Sequence, residues 1–144
     1  MPAAELAVLP DHLLTAILTL AKRQSGQPRF AFRGHDFQLQ EIFSELVESG
    51  KYPVLGRFVF SDTGPEPYSP ILNESVSKLQ LSGLIGRENP DYEVLFLRPA
   101  AEKFFDEVLI QQLPPEEMAQ LDHVATEFLK RVEVVSSAPR QPKI

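Results

Sequence analysis

The sequence predicts a single, mostly helical α+β domain. Apolar residues recur at helical spacing in five segments, whereas β-rich runs are few and short. One stretch, Phe58–Arg98, joins a helix to a β-hairpin. With 144 residues, 43% of them hydrophobic and 24% charged, the chain is long enough for one proper core and has the composition of a globular protein.

The first helix is predicted over Asp11–Gln24, with Asp11 as its cap. Lys22 and Arg23 fall in its last turn, where cations suit the negative end of the helix dipole. After a Ser-Gly-Gln-Pro break, Phe30 and Phe32 alternate with less apolar residues and indicate a short strand.

A second helix follows, capped by Asp36 and ended by Gly50. Its apolar stripe has the i, i+3, i+4, i+7 spacing of a helix that buries one face. The members of this stripe are Leu39, Ile42, Phe43, Leu46 and Val47.

The central stretch is predicted to run strand, loop, helix and hairpin. Phe58–Phe60 is a short β-rich run, and a Gly-Pro-Glu-Pro turn follows it. Ser69 can cap a helix whose first position is Pro70, and Gly83 can end that helix in a left-handed conformation. Leu84-Ile85 and Val94–Leu97, joined by the turn Asn89-Pro90-Asp91, then make a β-hairpin.

Two further helices are predicted after the hairpin, over Ala100–Gln112 and from Pro115 onward. The last helix carries a broad apolar stripe: Met118, Leu121, Ala125, Phe128, Leu129 and Val132. Residues 1–135 are therefore expected to form one domain. The polar, proline-containing segment 136–144 is expected to be a disordered tail.

A helix followed by a β-hairpin is the second half of a winged helix. The predicted architecture is accordingly a three-helix core with a small antiparallel β-wing, plus two C-terminal helices. The runs F-V-F, G-P-E-P-Y-S-P-I-L and L-Q-L-S-G-L-I resemble the motif of the YwgA-like winged-helix family and its SocA- and Panacea-type antitoxin relatives. The resemblance covers about residues 58–97, and Glu66 and Pro67 interrupt its compact G-P-Y-S-P form. It implies a non-enzymatic regulatory or partner-binding protein, and it supplies no catalytic residues.

Composition excludes several classes of function. The chain has no cysteine, so it forms no disulfide or thiolate metal site, and its net charge of −6 disfavours a surface built throughout to neutralise phosphates. No apolar run approaches the roughly 20 residues of a membrane span, and no leader peptide is recognised at the N-terminus. We therefore expect a cytoplasmic protein without a membrane role.

No catalytic or metal-binding pattern stands out. His12, His35 and His123 lie in different predicted elements, and structural roles explain them better than a metal site. The acidic pairs Asp106-Glu107 and Glu116-Glu117 suit a helix start or a solvated face. We expect no enzyme, no cofactor and no metal.

The exposed face of the helix Pro70–Leu81 is the candidate functional surface. With Leu72, Val76 and Leu79 directed inward, a step of about 100° per residue turns other residues outward. The candidate contact residues, with one arginine from the wing, are Ile71, Asn73, Glu74, Ser77, Lys78, Gln80, Leu81 and Arg87.

Two functions stay open for this face. A protein-binding adaptor or antitoxin-like module is favoured by the net acidity, by the near-neutral face and by the resemblance. A DNA-binding transcriptional regulator is the alternative, since winged helices commonly read DNA with this helix. We also expect a homodimer formed in part through the broad stripe of the last helix.

Overall fold

The structure is a computed structural model that describes residues 9–32, 36–61, 64, 67–88 and 94–135. The predicted tail and the hairpin turn at 89–93 lie outside the described residues. Helices account for most of what is described, and the strands form one small antiparallel sheet. The predicted fold class, α+β and mostly helical, is confirmed.

Helix α1 (Pro10–Ser25) is the central element of the core. It packs mainly against the last helix and the third one. Its buried residues lie on nearly all sides and include Thr15 and Thr19 as well as the apolar residues Leu13, Leu14, Ile17, Leu18 and Ala21. Gly26 ends the helix with a φ of +78°.

The cap predicted for α1 is wrong. Leu9 occupies the N-cap position without a side-chain hydrogen bond, and Pro10 fills the first helical position. Asp11 therefore lies inside the first turn, where its charge suits the positive end of the helix dipole.

Strand β1 (Arg29–Ala31) confirms the strand predicted near Phe30. Helix α2 (Asp36–Glu48) confirms the second helix and begins at Asp36 itself; residues 33–35, where its cap would lie, are outside the described residues. A short 3-10 helix (Pro53–Arg57) follows α2.

The strand predicted at Phe58–Phe60 is wrong. Its backbone pairs with no strand of the described residues, and the isolated bridge nearby joins Ser61, the residue after it, to Tyr68. Phe58 is nevertheless fully buried and stacks edge-on against Phe43 with ring centroids 5.6 Å apart. The apolar character of this segment therefore reflects core packing rather than sheet pairing.

The third helix is as predicted, and the two hairpin strands are confirmed, with the first one starting at Ile85 and extending to Glu88. Helix α3 (Pro70–Leu81) is followed by Gly83 with a φ of +82°, and the Leu84 N–H returns to the Leu79 carbonyl at 2.9 Å. Strands β2 (Ile85–Glu88) and β3 (Val94–Leu97) then pair antiparallel.

The C-terminal part contains a continuous helical rod and a final helix. The rod comprises α4 (Pro99–Phe104), a π-helical segment (Phe105–Leu109) and α5 (Ile110–Gln112), with helical backbone angles at each junction. Helix α6 (Pro115–Arg131) begins at the predicted Pro115.

Strand β4 (Glu133–Val135) was not predicted. It pairs antiparallel with β1, which also pairs with β3, so the order of the sheet is β2-β3-β1-β4. One face of the sheet carries Phe30 and Leu95 into the core, where Phe30 meets Phe128 of α6 with ring centroids 5.6 Å apart.

The apolar stripe of α6 is used within its own domain. Leu121, Ala125 and Phe128 are fully buried, and so is Val124, which the predicted stripe omitted. Met118 and Leu129 of the predicted stripe are half-buried. Most of the stripe therefore packs within one chain, and a homodimer formed in part through this helix stays a prediction.

Candidate partner-binding face

The start of α3 is fixed by buried hydrogen bonds. The Ser69 hydroxyl accepts the Leu72 N–H at 3.2 Å, as predicted for a cap. The side-chain amide of Gln40 on α2 accepts the Ser69 N–H at 2.7 Å and donates to the Ser69 carbonyl at 3.1 Å. Both residues are buried, so α2 holds the first turn of α3 in a defined position.

The inner face of α3 is apolar and packs against α1. Leu72, Val76 and Leu79 are buried as predicted. Ser75 is buried beside them and donates its hydroxyl proton to the Ile71 carbonyl within the helix at 2.9 Å. The orientation of the helix about its axis is thereby set by the core.

The opposite face of α3 is exposed. Glu74, Ser77, Lys78, Gln80 and Leu81 are all exposed. Leu81 is the extreme case, with 89% of its surface accessible to solvent. Covering such an exposed leucine with another apolar surface would lower the free energy, because apolar surface would be removed from water.

Three of the predicted contact residues are less exposed than expected. Ile71 is half-buried and packs against the core, so its assignment to the outer face is corrected. Asn73 is also half-buried. Arg87 on β2 is half-buried and already has an interaction of its own.

The charge of the exposed α3 face is close to neutral. It carries Glu74 and Lys78, and neither forms an ion pair within the described part of the chain. The face therefore offers one positive and one negative group around an exposed leucine.

The basic residues in the last turn of α1 form ion pairs with acidic residues of α4 and the π-helical segment. Lys22 contacts Glu102 at 2.7 Å, and the Arg23 guanidinium contacts Glu102 at 3.2 Å and Asp106 at 2.9 Å. The hydrogen bond from Lys22 lowers the pKa of Glu102, and the hydrogen bond to Asp106 raises the pKa of Arg23. Arg33, a further basic residue in this part of the sequence, is outside the described residues.

The sequence reasoning missed two exposed apolar residues in the connection between α2 and α3. Val59 is 63% exposed and Tyr68 is 45% exposed. Tyr68 directly precedes the cap residue Ser69 and pairs with Ser61 in the isolated bridge. The apolar run Phe58–Phe60 predicts a strand, and its sequence does not indicate that Val59 is exposed while Phe58 is buried.

The histidines do not form a site within the described residues. His12 packs edge-on against Phe104 with ring centroids 5.1 Å apart, whereas His123 is exposed on α6. No group of three metal-binding side chains occurs in the ranges that the structure covers. His35 lies outside them. Of the helices described, none is long and apolar enough to cross a membrane.

Comparison of the chain with protein families, with characterised proteins and with solved structures finds no match.

Proposed function

We propose that this protein is a winged-helix regulatory or adaptor module that acts through protein–protein contacts, of the kind that antitoxin domains make with their partners. The order of its elements, α1-β1-α2-α3-β2-β3, and the order β2-β3-β1 within its sheet support the winged-helix interpretation. The long connection 49–69 between α2 and α3 departs from the short turn of a helix-turn-helix. The added α4–α6 region packs against α1 and contributes buried residues such as Phe105 and Phe128 to the core.

One observation carries the functional part of the proposal: the solvent face of α3 is near-neutral and ends in a leucine that is 89% exposed. Burying such a side chain against a partner contributes about 1.5–3 kcal/mol. A hydrated DNA groove offers no comparable gain, and phosphate contacts supply most of the affinity of DNA-binding surfaces.

The surrounding charges support the same proposal. Lys22, Arg23 and Arg29 already pair with carboxylates, so neutralising phosphates would require these ion pairs to be broken. Lys78 remains as the exposed cation on α3, and Glu74 faces solvent one turn before it.

The test compares partner capture with DNA binding. Wild type, Leu81→Glu and Ile110→Glu serve as baits in a lysate of the native host, because Ile110 is 48% exposed on α5 and gives a matched control away from α3. We expect a partner that is retained by wild type and by the Ile110 variant and lost from the Leu81 variant. All three proteins should melt at similar temperatures.

The same proteins are titrated with random duplex DNA at low and rising salt. At physiological salt we expect a dissociation constant above about 10⁻⁴ M. Proteins that bind DNA non-specifically have dissociation constants of about 10⁻⁴–10⁻⁶ M under those conditions. Micromolar binding that weakens steeply with salt, and is lost when Lys78 and Arg87 are replaced by alanine, would replace this proposal with the DNA-binding one.

A further inference from the structure

A cleft of about 330 Å³ opens where β3 runs into α4, at the root of the hairpin. Its polar wall is made by Lys22, Arg29, Arg98 and Glu102, and its apolar wall by Phe96 and two prolines. The volume lies at the low end of the range for small-molecule sites. None of the α3 face residues lines it.

The aromatic ring of Phe96 lines the cleft and is closely fitted to the sheet. It lies against Gly86 of β2, where an added Cβ would come within 2.4 Å of the ring. The guanidinium carbons of Arg98 and Arg29 lie 5.1 Å and 5.7 Å from the ring centroid. These distances are in the range of cation–π contacts, so one ring orients two cations.

The cations of this cleft differ in how they are compensated. Arg29 donates through Nε to Glu88 at 2.7 Å, and Lys22 Nζ contacts Glu102 at 2.7 Å. Arg98 is exposed, and no carboxylate of the described residues pairs with it. The cleft therefore holds one uncompensated guanidinium in a protein whose net charge is −6.

The backbone that carries Arg98 is fixed on both sides. Its N–H donates to the Leu84 carbonyl at 2.9 Å, and its carbonyl accepts the Ala101 N–H at 2.9 Å. The residue thus joins the hairpin to the first turn of α4. A side chain anchored in this way and resting on an aromatic ring loses less conformational freedom when a ligand binds.

We propose that this cleft binds a small organic oxyanion, with its carboxylate or phosphate head on the Arg98 guanidinium and a flat apolar body against Phe96. A guanidinium presents parallel N–H groups that match the two oxygens of such a head. The ring and the prolines exclude water from the body of the ligand. The uncompensated charge of +1 suits a monoanion without disturbing the two ion pairs.

A phosphate monoester can carry a second negative charge, and that charge would need a second cation in addition to Arg98. A carboxylate carries one charge and needs only Arg98. Lys22 lies in the same cleft, but it is held by Glu102. A dianion would have to compete with that carboxylate, whereas a carboxylate ligand would not. The relative affinity for phosphate and carboxylate ligands therefore indicates whether Lys22 binds the ligand.

The experiment is an NMR titration of the ¹⁵N-labelled full chain with benzoate, with phenyl phosphate and with neutral benzyl alcohol. We expect saturable amide shifts confined to Gly86, Phe96, Leu97 and Arg98 with at least one of the two anions. Benzyl alcohol should bind at least 10-fold more weakly. Tighter binding of phenyl phosphate would identify a phosphate head, and tighter binding of benzoate a carboxylate head.

The matched variants are Arg98→Gln and Lys103→Gln, which remove the same charge from neighbouring exposed positions. The Arg98 variant should lose at least 10-fold in affinity, and the Lys103 variant should stay within about 2-fold of wild type. Arg98→Lys, which keeps the charge and loses the paired N–H groups, should fall between them and also serves if the glutamine variant folds poorly. Absence of saturable shifts at millimolar anion, or equal binding by the Arg98 and Lys103 variants, would overturn the proposal. The outcome is independent of partner binding by α3.

Discussion

Replacing Gln40 by methionine should destabilise the protein by about 2–4 kcal/mol, although Gln40 is a polar residue far from any predicted site. Its amide makes two buried hydrogen bonds to the backbone of Ser69, at 2.7 and 3.1 Å. Methionine has a similar length and flexibility, so the change removes the hydrogen bonds with little change in volume.

The magnitude follows from what Ser69 loses. Its carbonyl keeps a second donor, the Asn73 N–H at 3.1 Å, so the loss there is one net hydrogen bond of about 0.5–1.5 kcal/mol. Its N–H is left without a partner at a fully buried residue, which costs about 1–3 kcal/mol. At about 2–4 °C per kcal/mol for a chain near this size, the melting temperature should fall by roughly 5–15 °C.

The assay is urea unfolding followed by circular dichroism at several pH values. Gln111→Met, at an exposed position of α5, is the control and should change stability by less than about 0.5 kcal/mol. Gln40→Glu keeps an acceptor for the Ser69 N–H, but it regains a donor for the Ser69 carbonyl only when protonated. Its deficit should therefore be smaller at pH 5 than at pH 7. A Gln40→Met variant as stable as wild type would refute the proposed role of this residue.

Three further perturbations test other parts of the structure. Leu79→Asp should unfold or severely destabilise the domain, because it places a charge on the buried face of α3; thermal melting measures this. Gly86→Ala should cost about 1–3 kcal/mol, because the new methyl group would meet the Phe96 ring at 2.4 Å, and Phe96→Ala should relieve the clash in a double-mutant cycle. Glu127→Gln tests an ion pair: hydrogen bonding, first from Arg131, lowers the pKa of Glu127 from 4.5 to about 2. The ionised Glu127 carboxylate therefore stabilises the fold above about pH 4.5, and this contribution is lost as the pH falls towards 2. The free energies of unfolding of wild type and variant should become equal in acid.

The elements that sequence predicted best are those whose ends are set by local stereochemistry. Ser69 and Pro70 begin α3 as expected, and Pro115 begins α6, because capping and a missing N–H depend only on neighbouring backbone. Gly83 likewise adopts the left-handed conformation that ends a helix. The exposure of Leu81 also followed from the helical step beyond Leu79.

Strands were predicted less well, because a strand exists only through its partner. Phe58–Phe60 has β-rich composition but finds no strand to pair with, whereas Glu133–Val135 lies beside β1 and completes the sheet. Nothing within either segment distinguishes the two outcomes, and only the placement of α6 brings the latter next to Arg29.

The ion pairs around the candidate site could not be predicted either, because they also join residues that are distant in the sequence. Lys22 and Arg23 are close together in sequence, but their carboxylate partners Glu102 and Asp106 lie about 80 positions away in the chain. The two hydrogen bonds between the Gln40 side chain and the Ser69 backbone also join residues that are distant in the sequence. Periodicity reveals which face of a helix is buried, and it does not reveal which polar groups meet across the core.

The buried stripe of α6 leads to a final prediction, that unfolding of this protein does not depend on its concentration. Phe128 stands among Phe30, Phe32 and Phe43, with ring centroids 5.6, 6.0 and 6.2 Å away, and is fully buried within one chain. Phe128→Ala should therefore cost about 3–5 kcal/mol through loss of core packing. This loss in the free energy of unfolding should be the same in dilute and in concentrated samples.

The measurement is the urea midpoint of wild type at about 5 and 500 µM, together with its sedimentation velocity. A dimer held by α6 would be stabilised by mass action, so its midpoint would rise across this hundredfold range. A core contribution within one chain predicts the same midpoint at both concentrations and a monomer in sedimentation. A rising midpoint that Leu129→Glu abolishes would instead place a second copy on the half-buried edge of this helix, beside the stripe that the monomer already covers.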